Sequence, residues 1–191
     1  MSLVSEPSSA VSILLAFGEP REKATAAELR TLLHRHDLSG LQWTSTVVIE
    51  RGAVPHSHPV LTLNTANSGD ALLSAYFHEQ LHWWTAEHPG TRSAISAIHH
   101  EWSTVPTADR GGARDADSTR LHLIVCHLER RALQYLLGQE RAAHVIEAQI
   151  SRQIYPWVRR AVVLGETQLD QILADRGLLP SRLDIDPPFS Q

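Results

Sequence analysis

Apolar positions along this chain recur first at strand spacing and then at helical spacing. Residues 11–17 (VSILLAF) form a short apolar run bounded by Gly18 and Pro20, which predicts a buried strand. Thr25 and Glu28 make a capping box ahead of a stripe of Leu29, Leu32, Leu33 and His36, a helix that Gly40 ends. The β-branched stretch 43–50 (WTSTVVIE) and the alternating VLTLN at 60–64 predict two more strands, with RGAVPHSHP as the loop between them. Turn-forming TANSG at 65–69 leads into a long helix over about 71–87, capped by Ser68 or Asp70 and stopped by Pro89-Gly90. Every later periodic segment is helical: 91–104 halted by Pro106, 119–137 capped by Ser118 and closed by Gly138, then 139–153, 156–164 and 166–176. TADRGGARDAD at 107–117 is rich in Gly and charge and predicts a mobile loop. The order β-α-β-β, then α throughout, is an α+β layout with its helices segregated late.

A chain of 191 residues suggests one domain, with the Ser-rich residues 1–10 as a flexible tail. The single cysteine, Cys126, excludes an intrachain disulfide. A formal net charge of -4 gives no basic field for nucleic acid or an anionic membrane, so neither is expected as a partner. No apolar run approaches the ~20 residues of a membrane span. The N-terminus lacks a positive n-region and a small-residue cleavage site, so a cytoplasmic protein is the expectation. The 12 histidines change the picture, because they make a metal site worth seeking.

Residues 78–82 read HEQLH, an HExxH pattern on the long helix. Residues four apart share a helical face, so His78 and His82 can grip one ion from successive turns. Glu79, beside the first ligand, is placed to take a proton from water activated there and to return it to the leaving group. The flanking Ala75, Tyr76, Phe77, Gln80, Leu81, Trp83 and Trp84 are uncharged, as befits a helix buried behind its metal. The plainer alternative is a core helix whose two histidines are satisfied by backbone or carboxylate groups.

These residues resemble the zincin metallopeptidases, in particular the branch with a glutamate as third ligand (the gluzincins). The resemblance spans roughly residues 11–137, although only the pentapeptide is specific. The pairing of FHEQLHWW with HLIVCHLERRAL is similar to that of uncharacterised zincin-like proteins. The resemblance implies a zincin-like α+β fold, a small β-α-β-β layer followed by the HExxH helix and a mostly helical remainder. It also implies that His78 and His82 are zinc ligands, that Glu79 is the catalytic carboxylate, and that a Glu on a later helix completes the set.

Two residues compete for that third place. Glu101 follows His82 with 18 residues between them, a spacing similar to one class of zincin aminopeptidases, but residues 102–106 end its helix within a turn. Glu129 lies mid-helix in LERRAL, which resembles the family's ExxA pattern, and a mid-helix ligand is better held. The alternative for Glu129 is a solvated position beside Arg130 and Arg131. His122 shares its face but stands two turns, about 10 Å, away along the helix, so it reads as a catalytic or substrate-contacting group rather than a co-ligand. His127 points roughly 200° from Glu129 and cannot share its ion. Cys126 reads as a small buried hydrophobe or, alternatively, a thiolate ligand. An oxyanion could be met by His99, His100, His122 or Tyr155, which spacing does not separate. His56 and His58 fall in a Pro-flanked loop, His34 and His36 suit a helix C-terminus, and Arg110, Arg114 and Arg120 alternate with Asp109, Asp115 and Asp117 as a balanced solvated loop.

The expectation is a zinc-dependent hydrolase of peptide or amide bonds, with Glu79 as general base and strand 60–63 as an edge that a peptide substrate could join. Manganese, iron or cobalt would also suit these ligands. A non-peptidase metalloenzyme acting on a small molecule, or a binding or regulatory module with a degenerate site, are the alternatives.

Overall fold

A computed structural model describes residues 11–183; the tail expected at 1–10 lies outside them. The described residues group into two compact units, one ending at Trp83 and the other beginning at Trp84. The structure is α+β and mostly helical, with seven α-helices and a three-stranded parallel sheet among the described residues. No helix among them is long and apolar enough to cross a membrane.

The first unit holds β1 (Ser12–Leu15), α1 (Pro20–Arg35), β2 (Thr46–Ile49), β3 (Leu61–Leu63) and α2 (Gly69–Glu87) as far as Trp83. The strands lie in the order β1-β2-β3, with Ser12 opposite Thr46 and Val47 opposite Leu61. Leu29 of α1, Val47 and Ile49 of β2, Leu61 and Leu63 of β3, and Leu72, Leu73, Tyr76, Phe77 and Leu81 of α2 are its core, each 0–1% exposed. Helix α1 starts five residues before the expected Thr25, which is buried in the helix interior. Pro20 presets the first helical φ, and Glu19 and Glu22 form a reciprocal capping box in which a glutamate takes the place usual for Ser or Thr. Burial alone would raise the Glu22 carboxyl. The amides of Arg51, Phe17 and Glu19 that donate to it outweigh this and hold it below the usual carboxylate range.

The edge of β3 differs from expectation. His56 forms an antiparallel bridge with Thr62, donating its amide to the Thr62 carbonyl at 3.1 Å and accepting the Thr62 amide at 2.8 Å. In a parallel sheet, alternate residues direct both backbone groups to the same side. Thr62 is thus the outward-facing residue of this short strand, and its hydrogen bonds are already made. A peptide cannot join β3 at Thr62 without displacing His56.

The second unit contains α3 (Thr91–Glu101), a 3₁₀ turn (Ala108–Arg110), α4 (Ala116–Leu137), α5 (Gln139–Ser151), α6 (Pro156–Leu164) and α7 (Glu166–Ala174). Helix α4 touches α3, α5, α6 and α7, which is why its residues 122–129 are buried without interruption rather than on one stripe. Its cap is Asp115, whose side chain accepts the Ser118 amide at 2.7 Å; Ser118, the expected cap, lies inside the first turn. Segment 107–117 is not the open loop its composition suggests. Thr107 bridges Ala113, Thr119 Oγ1 accepts the Ala113 amide, and Arg120 donates to the Ser103 carbonyl at 3.0 Å. A Cβ on Gly112 would stand 2.0 Å from the Pro106 carbonyl oxygen, so this glycine permits close backbone packing.

Candidate metal centre

Helix α2 carries the HExxH face of the first unit. His78 and Glu79 are 8% and 6% exposed, and His82 is half-buried. The His78 and His82 rings meet edge to face with centroids 5.0 Å apart, and each presents a ring nitrogen within 4.8 Å of the other. This is the juxtaposition that helical i, i+4 spacing dictates, and it suits two nitrogens on one ion.

Gln80, inside the same pentapeptide, fastens this face to the segment that leads into β2. Its Oε1 accepts the amides of Trp43 (2.8 Å) and Thr44 (3.0 Å), and its Nε2 donates to the Thr44 carbonyl (2.8 Å) and Tyr76 Oη (2.9 Å). Burial raises the Tyr76 hydroxyl to about 12 despite the hydrogen bonds from Gln42 and Gln80, so it remains a protonated partner. Gln80→Leu would strand three backbone groups and is expected to cost about 2–4 kcal/mol of stability in urea unfolding. A loss below about 1 kcal/mol would show that solvent replaces the amide. On the next turn Trp83 donates Nε1 to the Ser57 carbonyl at 2.8 Å and stacks on the His58 ring at 4.1 Å. His58 is thus placed by an aromatic neighbour.

The second unit presents His122, Cys126 and Glu129 on α4, at 7%, 1% and 0% exposure. A Glu129 carboxylate oxygen and Cys126 Sγ lie within 4.8 Å. Glu129 is therefore no solvated position. Gln149 Nε2 donates to its Oε1 at 3.2 Å, and Arg159 Nη2 reaches Oε2 at 3.2 Å. The two arginines beside it in sequence turn elsewhere: Arg130 pairs with Glu166, and Arg131 holds both oxygens of Asp170 at 2.9 Å. His127 also goes to Asp170, through Nε2 at 2.7 Å, so the expected separation of His127 from Glu129 around the helix is seen in their different partners.

His122 Nδ1 lies 2.7 Å from the Ser118 carbonyl oxygen. A carbonyl only accepts, so this nitrogen carries the proton and Nε2 is the acceptor in the neutral ring. A neutral His122 can therefore ligate a metal or take a proton, but it can meet an oxyanion only as imidazolium. The Tyr155 ring packs against it at 4.4 Å. Tyr155 has a φ of 48°, a left-handed backbone unusual for a tyrosine, immediately before Pro156 at the start of α6.

The remaining candidates lie at the surface. Glu101 is the exposed last residue of α3 and accepts a hydrogen bond from Gln168 at 2.6 Å. It borders an open cleft of about 890 Å³ with His100, Arg92, Asp175 and Arg176. His99 and His100 are exposed, as are His34, His56 and His58. Of the two acidic residues considered for the third ligand, Glu129 is buried and Glu101 is not.

Sequence reasoning missed Gln80, Gln149 and Arg159. For Arg159 a signal was present: it interrupts the apolar stripe of Val158 and Val162 on α6, where a charge requires a buried partner. Comparison of the chain with protein-family models, curated proteins and solved structures gives no match.

Proposed function

We propose that this chain is a zinc-dependent hydrolase of zincin type, acting on an amide bond, with His78 and His82 as two ligands and Glu129 as the third. The observation that carries the reading is the pair of imidazoles on α2, with ring nitrogens within 4.8 Å on a largely buried face and Glu79 buried beside them. The donor chemistry supports it: two neutral imidazoles and one carboxylate are a common catalytic zinc set. An HExxH helix that follows the last strand of a small sheet is in keeping with a zincin-like fold. Bound zinc would supply a Lewis acid that polarises a carbonyl and lowers the pKa of water toward ~7. Glu79 then takes the proton from water and delivers it to the leaving nitrogen. Gln80 keeps α2 fixed on the segment before β2 while this happens, and His122, with Nδ1 committed to Ser118, offers Nε2 as an acceptor toward substrate.

A second reading, a metalloenzyme acting on a small non-peptide molecule, is favoured by the occupied edge of Thr62. An extended peptide recognised by backbone pairing would need the free edge of β3, and at Thr62 that edge is closed by His56. Zinc content by mass spectrometry tests both readings at once. One zinc per chain is expected in the wild type and less than about a tenth of that in His78→Ala or His82→Ala, because losing one of three ligands removes much of the affinity. Equal zinc in the histidine variants would end both.

A further inference from the structure

Glu129 and Arg159 form the most deeply buried ion pair among those found in the described residues, at 0% and 2% side-chain exposure. The guanidinium is not held by a full set of hydrogen bonds. Nε donates to the Ile154 carbonyl at 3.2 Å and Nη2 to the Glu129 carboxylate, while the buried Nη1 has no partner. A group so incompletely satisfied is kept inside by charge, and the charge it faces is Glu129. Burial alone would lower the Arg159 pKa, but Glu129, with help from Cys126, reverses the direction.

We propose that Arg159 is the resident counter-ion of Glu129, a positioning residue that holds the carboxylate in place inside the second unit before any metal arrives and that a metal must afterwards share. This inference rests on Glu129 being a ligand. A carboxylate buried without a cation would be strongly destabilising in the metal-free chain, and many metal-binding domains answer this by folding only when loaded. Here the cation is built in. The consequence is a trade: the metal-free protein is folded, and a divalent ion is held more weakly than the same ligands would hold it alone, because a fixed positive charge stands against their carboxylate.

The test is zinc titration of the full chain against a chromophoric chelator, alongside urea unfolding of the metal-free protein, for wild type, Arg159→Met and Arg159→Lys. Arg159→Met is expected to unfold at lower urea when metal-free and to bind zinc about tenfold or more tightly. Arg159→Lys, which keeps the charge on a different shape, is expected to stay close to wild type in both. Weaker or unchanged zinc binding in Arg159→Met would overturn the proposal, since a residue that only aligned Glu129 would lose affinity on removal. If Arg159→Met does not fold without metal, recovery of its helical circular dichroism on adding zinc is the expected result; if zinc does not recover it, Arg159→Gln is measured against the same criteria. A wild type that binds no zinc sinks the ligand reading of Glu129 itself, whereas zinc-binding wild type with an unaltered Arg159→Met sinks only the counter-ion.

Discussion

Glu79→Gln is expected to retain zinc at the wild-type level and to turn over substrate about 10²–10⁴-fold more slowly, the range that losing a positioned acid–base group gives. The substitution is nearly isosteric, and a primary amide can still accept and donate hydrogen bonds, so the buried surroundings of this 6%-exposed side chain are conserved in shape. What the amide cannot do is accept a proton at neutral pH. Neither His78 nor His82 is altered, so the metal is expected to remain. The measurement pairs zinc content with cleavage of a pool of unstructured peptides and small amides, followed by mass spectrometry. Retained zinc with lost turnover assigns Glu79 to the proton transfers. An active Glu79→Gln protein would dismiss the mechanism, whichever substrate class proved correct.

The HExxH face was legible because helical spacing alone decides that His78 and His82 adjoin, and the structure has them so. The helices of the second unit were legible for a related reason: Gly138 and Pro156 punctuate strongly periodic segments, and α5 and α6 begin within a residue of those marks. Where one chemical type stood in for another, the reading slipped. Glu19 caps α1 in place of the expected Thr25, and Asp115 caps α4 in place of Ser118. Glycine also has two uses. At Gly112 the missing Cβ makes room for the Pro106 carbonyl, while Gly111 beside it takes a left-handed φ of 87°, and nothing in composition distinguishes these uses.

What periodicity could not reach were the partners. Arg159 meets Glu129 across 30 residues and Asp170 meets His127 across 43, and no local pattern encodes which distant side chain answers a buried charge. The same holds for the edge of β3. The alternation in VLTLN identified a strand, while the residue that closes its outer side, His56, lay in what read as a loop. That single backbone pairing takes up the Thr62 amide and carbonyl that an added strand would need.

Glu129→Ala is expected to cost about 3–5 kcal/mol of stability in the metal-free protein and to remove most zinc binding as well. The stability loss comes less from the missing contact than from what it leaves: a guanidinium 2% exposed, with Nη1 already lacking a partner and Nη2 then deprived of its acceptor. Glu129→Gln should fall between, since an amide oxygen can still accept from Arg159 and Gln149 but carries no charge to offset the cation. Combining Glu129→Ala with Arg159→Met should recover a large part of the stability and none of the zinc, because an apolar pair of similar volume dispenses with both desolvation penalties while the ligand stays absent. Urea unfolding and zinc titration on the three variants separate these effects. If the double variant regained zinc, the third ligand would have to be sought elsewhere. If Glu129→Ala alone cost less than about 1 kcal/mol, the pair would be no more than an exposed salt bridge in energetic terms, against the burial seen for both side chains.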